Sequence, residues 1–129
     1  MRELRAERSL RVIKEVLTHK KNIRWQGICD VESFIPPMDW IYFDVGGGLV
    51  MYEPIEGDVM LHAAVINMPL KPVSTLLNNF KQVAELGYEN VWAYIEHGHQ
   101  RACVMAKAAG FERQDFNYGN LFKRGLLDG

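Results

Sequence analysis

With 129 residues, 48% hydrophobic and 24% charged, the chain has the length and composition of one globular domain and can bury a core without a metal or disulfides. A formal net charge of −1 argues against a protein whose main task is gripping nucleic acid, and two cysteines, Cys29 and Cys103, are too few for a disulfide scaffold and read as reduced thiols of a cytoplasmic protein. The longest uncharged apolar stretch, 59–70, contains His62 and Asn67 and falls short of the ~20 residues a bilayer span needs, and the charged start Met1-Arg2-Glu3 is not a signal peptide, so no membrane partner is expected.

Residues 3–20 are expected to form a helix, because Ala6, Leu10, Ile13 and Leu17 recur at spacings of four, three and four, with Val12 and Val16 widening the stripe. Residues 1–25 carry a net charge of +5; such a basic helix packs on a sheet with its charges solvated, the alternative being RNA or membrane binding. No Lys or Arg occurs at 26–70, while Asp30, Glu32, Asp39, Asp44, Glu53, Glu56 and Asp58 all fall there, a stretch that attracts cations or simply faces water. Residues 22–39, with Gly27, Pro36 and Pro37, read as a loop.

Three strands follow in a meander: 40–45, then 49–53 after the Gly46-Gly47-Gly48 turn, then 59–67 after a turn over 54–58. Pro69 and Pro72 punctuate a loop, and Ser74 or Thr75 is placed to cap a helix over 75–86, which Gly87 ends. A strand at 91–95 and a helix at 99–109 stopped by Gly110 come next, then a hairpin over 115–122 turning near 117–120. The strand–helix–strand step 59–67, 75–86, 91–95 implies a parallel pair, so the expected fold is α/β (α+β): a mixed sheet, antiparallel first and parallel in its second half, with helices on both faces.

The order of elements, the pair Leu76-Leu77, the run Ala84-Glu85-Leu86-Gly87, the strand Val91-Trp92-Ala93-Tyr94-Ile95-Glu96, and Arg101-Ala102 followed by Ala109-Gly110-Phe111 resemble the GNAT acyltransferase superfamily. The match covers 40–124 as architecture and 75–111 as motif, and short divergent members of this type are similar to phage-encoded proteins. The resemblance implies acetyl-CoA as cofactor and an amine, of unknown identity, as acceptor. It implies that the strand at 59–67 splays from that at 91–95, so that the backbones of Val65 and Asn67 hold the pantetheine arm as an added strand would. The pyrophosphate is then expected at the start of the following helix, on Lys71, Val73, Ser74 and Thr75, with His99 also near the cofactor.

Two departures stand out. Lys71 and Val73 occupy positions where the family carries glycines, with Pro72 removing a backbone donor between them, and Ala106 stands where many members carry a proton-donating Tyr, a task that only Tyr118 offers to take over. The attacking amine must be neutral, so a base is needed; His62 and Glu96 are the candidates, with Asp44, Glu53 and Asp58 available to orient a cation. Glu96-His97-Gly98-His99 has no established metal spacing, so no metal is expected; Cys103 is read as packing rather than as a nucleophile, and Trp25, Trp40 and Trp92 as core or interface residues. The departures support a second reading, a catalytically silent binding or assembly protein that self-associates as a homo-oligomer or holds a partner and has no affinity for CoA.

Overall fold

The structure, a computed structural model, describes residues 2–4, 6–20, 35–67, 70–95, 98–114 and 121–127. In chain order the elements are β1 (Arg2–Leu4), α1 (Ala6–Leu17), β2 (Ile41–Asp44), β3 (Gly48–Ile55), β4 (Asp58–Val65), α2 (Pro72–Glu85), β5 (Asn90–Tyr94), α3 (Gln100–Ala108), β6 (Glu112–Arg113) and β7 (Leu121–Gly125). One mixed seven-stranded sheet runs β1-β2-β3-β4-β5-β7-β6.

The meander forms as expected, with constant register from Ile41↔Tyr52 to Asp44↔Leu49 and from Ile55↔Asp58 to Gly48↔Val65. Its second turn is tighter than the 54–58 read from sequence. Only Glu56 and Gly57 lie outside the strands, with φ of 45° and 88°, which is the twist a two-residue hairpin favours. Pro54 therefore sits inside β3. It has passed Tyr52, the last β3 residue paired with β2, so its missing N–H costs that ladder nothing.

Three further expectations are corrected. Residues 2–4 are not helical; they form an edge strand against β2, and α1 starts at Ala6. The helix after β4 starts at Pro72 rather than 75, since proline's fixed φ suits a first turn whose N–H groups have no intrahelical acceptor. Lys71 is its N-cap residue, and Ser74 and Thr75 lie inside the first turn, so neither caps it. Among the described strands only β4–β5 is parallel; the second half closes antiparallel, because the C-terminal hairpin inserts β7 between β5 and β6. The expected loop 22–39 lies largely, and the hairpin turn at 117–120 wholly, outside the described residues.

Strand alternation sorts side chains to two faces. Ile41, Phe43, Val50, Tyr52, Val59, Val91, Ala93 and Phe122 join Phe80 and Val83 of α2 and Ala106 of α3 in the larger core cluster. Tyr42, Leu49, Met51 and Ala64 meet Ile13 and Leu17 of α1 on the other face, so helices cover both sides. Tyr52 lies edge-on to Phe43 and Phe80, with centroids 5.7 and 6.2 Å away, and its hydroxyl donates to the buried Asn79 Oδ1 at 3.1 Å. Burial pushes the Tyr52 phenol well above its ordinary pKa.

Asp58 ties the start of β4 to β5. Its carboxylate accepts from the Asn90 N–H at 3.0 Å, Asn90 Nδ2 at 3.1 Å and Trp92 Nε1 at 3.0 Å. Burial alone would raise this carboxyl, but the bonds from Trp92 and Asn90 and the Lys123 charge outweigh it and hold the pKa below the ordinary value. A depressed carboxyl adds stability that is complete above its unfolded pKa of about 4 and is lost as pH falls through the lower folded value. Asp58→Ala is therefore expected to lower unfolding free energy by about 1–2 kcal/mol and to flatten the acid limb of stability against pH, read by urea denaturation. An unchanged midpoint and limb would show that this tie carries no stability.

Candidate functional site

β4 and β5 pair only at Val59↔Val91, Met60↔Trp92 and Leu61↔Ala93. Beyond that, each follows its other neighbour: β4 stays on β3 to Gly48↔Val65, and β5 stays on β7 to Tyr94↔Leu121. The two strands therefore part, closed at the Asp58 end and open at their carboxyl ends. A second tie holds the open end, where the Gly47 carbonyl accepts both Ile66 N–H at 2.7 Å and Asn67 N–H at 2.8 Å. Because Ile66 bonds toward β3, alternation turns the backbone N–H and C=O of Ala63 and Val65 the other way, into the gap. The Ala63 side chain is exposed.

Both helices that follow the parting strands begin at this open end, α2 six residues after β4 and α3 five residues after β5. In open α/β sheets ligands bind in crevices at the carboxyl ends of the parallel strands, the end at which the parallel pair β4–β5 opens. The first turns of α2 border an open concavity of about 610 Å³ lined by Lys71, Pro72, Val73, Ser74, Leu77, Asn78 and Lys81. Helix geometry leaves the Val73 and Ser74 amides without intrahelical acceptors, and two ammonium groups, a hydroxyl and a carboxamide flank them, a set of donors and positive charge that can take an anion. Leu70 is fully exposed and does not plug it, while Val73 packs partly against the core.

His62 is the first β4 residue past the last pair with β5. Leu61 packs with the core under α2 and α3, so His62 stands on the α1 face. Its ring stacks on Trp40 with centroids 4.7 Å apart and planes 13° apart, and its Nε2 lies 3.0 Å from Glu53 Oε1. Both side chains are a little over one third exposed, at 37% and 38%.

The expected site residues thus meet in part. Val65 faces the gap with its backbone, His62 stands at the vertex, and Lys71, Val73, Ser74 and Thr75 form the start of α2. The backbone of Asn67 is committed to Gly47 instead, and Ala63 takes its place facing the gap. His99 is the exposed N-cap residue of α3, its carbonyl accepting from Cys103 N–H at 3.1 Å. Asp44 is used locally, accepting from Gly46 N–H at 2.9 Å, and Asp58 is the β4–β5 tie. Ala106 is buried in the core, so the position where the resemblance implies a tyrosine presents only a methyl group. Glu96, His97, Tyr118, Trp25 and Cys29 lie outside the described residues, among which no group of three potential metal ligands comes together. No helix of the described residues is long and apolar enough to cross a membrane.

Sequence reading overlooked Asn78 and Lys81, although Lys71, Ser74, Asn78 and Lys81 repeat at spacings of three, four and three, one face of a helix. It also overlooked the pairing of Glu53 with His62, which follows from the strand register: Glu53 opposes Met60, two residues from His62 on the same face.

No protein-family model matches the chain, and no curated protein matches it. Among solved structures, a probable acetyltransferase of the GNAT family from Chromobacterium violaceum superposes with a TM-score of 0.62 at 15% identity, over 97% of this chain and 81% of that one. An aminoglycoside 6′-N-acetyltransferase complexed with coenzyme A does so with a TM-score of 0.62 at 15% identity, over 100% of this chain and 99% of that one.

Proposed function

We propose that this chain, which has the GNAT fold, is an acetyl-CoA-dependent N-acyltransferase acting on a primary amine. The observation that carries the reading is the parting of β4 from β5 beyond Leu61 and Ala93. Among the described residues it leaves backbone groups of Ala63 and Val65 without a strand to bond, and a pantetheine arm, with its two amides, is a ligand that can pair with them like an added strand. Lys71, Ser74, Asn78 and Lys81, with the amides of Val73 and Ser74, would hold the phosphates; Thr75 and His99 border the same end. Pro72 weakens this site less than sequence suggests, because it occupies the first helical turn and leaves the next two amides in place. That one structural neighbour holds coenzyme A supports the same reading.

Bound acetyl-CoA supplies the activated acyl group. His62 takes one proton from the incoming ammonium, leaving a neutral amine to attack the thioester carbonyl; Glu96 is the alternative base. As the C–N bond forms and the C–S bond breaks, the second nitrogen proton goes to the departing thiolate, and His62 returns its own to water. The buried methyl of Ala106 has no proton to give the thiolate, which favours a second reading in which the chain binds CoA but transfers slowly or not at all.

Isothermal titration with acetyl-CoA and an acetyl-transfer assay over a panel of amines separate these. Saturable heat with turnover supports the enzyme, and heat without turnover supports the binding module. No heat at millimolar cofactor rejects both, leaving a scaffold that self-associates. Lys71→Ala and Lys81→Ala are each expected to weaken acetyl-CoA about tenfold, ~1.4 kcal/mol, with folding unchanged. Unaltered affinity in both would move the phosphates off this concavity.

A further inference from the structure

Resting on the acyltransfer reading, we propose that Glu53 is the positioning residue of the site: it fixes the tautomer of His62, so that Nδ1 carries the lone pair that takes the acceptor's proton, and the acceptor enters from the face of the sheet that carries α1. The argument starts from the vertex of the strand gap. The last parallel pair is Leu61↔Ala93, and the next residue on each strand, His62 and Tyr94, turns to the face opposite the α2–α3 core. An amine deprotonated by His62 must therefore reach the gap from that side, where Tyr94 is half exposed and α1 packs on the neighbouring Tyr42, Met51 and Ala64.

The imidazole is held on two sides. Trp40 lies parallel to the ring, at 4.7 Å between centroids and 13° between planes, which limits rotation out of that plane. Glu53 Oε1 lies 3.0 Å from Nε2. A carboxylate only accepts, so that bond exists when Nε2 carries the proton, and in the neutral ring the lone pair is then on Nδ1. When His62 takes a proton at Nδ1, the same carboxylate faces the new positive charge without having to move. The partner is built into the sheet: Glu53 and His62 are diagonal neighbours on adjacent antiparallel strands, so register places the two side chains within reach of each other.

Nitrogen NMR of the imidazole tests this on the free protein, and kinetics test it on the enzyme. In its neutral form, wild-type His62 is expected to show the Nε2–H tautomer. Glu53→Gln, which keeps an accepting oxygen, is expected to retain it, and Glu53→Ala to give a mixture. With acetyl-CoA and an active amine, Glu53→Ala is expected to lower kcat about 10–100-fold with acceptor KM nearly unchanged, and Glu53→Gln to recover most of the loss. An Nδ1–H tautomer in the wild type, or a tautomer indifferent to Glu53→Ala, overturns the proposal. So does a Glu53→Ala variant that raises KM and spares kcat, since that is an acceptor-binding carboxylate. Absence of turnover in the wild type fails the acyltransfer reading itself, and the spectrum alone then decides whether Glu53 sets the ring.

Discussion

Gly47→Ala is expected to be among the most disruptive single substitutions in this protein and to damage the candidate site together with the fold. A Cβ built on Gly47 runs into the Asn67 carbonyl oxygen and lies 2.9 Å from its carbonyl carbon and 3.1 Å from its Cβ. The first two are backbone atoms and cannot swing aside, so the β2–β3 turn or the end of β4 must move. Either movement breaks the paired bonds from Ile66 and Asn67 to the Gly47 carbonyl, the tie that holds the open end of the gap. Overpacking against backbone together with lost hydrogen bonds places the cost at about 3–5 kcal/mol, a Tm drop of roughly 10–20 °C for a chain of this size. Gly46→Ala is the control: its φ of +88° makes any side chain strained, but nothing lies within 4 Å, so about 1–2 kcal/mol is expected. If thermal unfolding gives the two variants equal losses, Gly47 is no more than a turn glycine. A folded Gly47→Ala that binds acetyl-CoA like the wild type would show that the end of β4 does not position the ligand.

Those contacts also explain what a sequence can and cannot reveal here. The meander was readable because its strands are rich in β-formers, and its first turn carries three glycines. Position 47 could not be singled out within that triplet, because its constraint comes from Asn67, twenty residues on. α2 and α3 were readable from apolar spacing and from the glycines that end them, Gly87 at φ +101° and Gly110 at +91°. Strand β1 was not: Arg2, Glu3 and Leu4 have no strand pattern, and only pairing to Tyr42, Phe43 and Asp44 makes them one. The sequence points to a later start for α2 because Ser74 and Thr75 are good caps in isolation, whereas Pro72 at the first turn decides the boundary.

The candidate site divides along the same line. His62 and the start of α2 came from the resemblance and from residue chemistry. The splay came only as an implication of the resemblance, since no local signal marks where two parallel strands stop pairing; the register shows it. The partnership of Trp40, Glu53 and His62 draws on three segments and depends on which face each side chain takes, so a one-residue slip of register would dissolve it. Ala63 was passed over because a small apolar residue has no side-chain chemistry; its relevance lies in its backbone alone.

Arg124 links the two helices that open onto the gap, and Arg124→Ala is expected to loosen both. The side chain is nearly buried. Its Nη1 donates to the carbonyl of Ala109 at the C-terminal end of α3, its Nε donates to the Gly125 carbonyl at 2.8 Å, and its guanidinium lies 5.2 Å from the centre of the Phe80 ring on α2. A cation at the C-terminal end of α3 meets the favourable end of the helix dipole, and Phe80 offers it a ring face. Truncation to alanine leaves a helix-end carbonyl without its donor and a void beside Phe80, which together are expected to cost about 3–5 kcal/mol. Arg124→Met separates the two terms, because it fills much of the space and donates nothing. Replacing a buried ion pair with apolar side chains is often neutral, but here the acceptors are backbone carbonyls that stay behind, so about 2 kcal/mol of destabilisation is expected to remain. Arg124→Lys is expected to recover only part, since one ammonium cannot serve two carbonyls and a ring face in the same geometry. Urea denaturation ranks the three variants. On the proposed function, the folded Arg124→Met protein is expected to bind acetyl-CoA several-fold more weakly, because α2 and α3 are no longer tied through one side chain at the base of the gap. A methionine variant with wild-type stability and wild-type affinity would show that packing alone holds the helices, and that the gap does not depend on this cation.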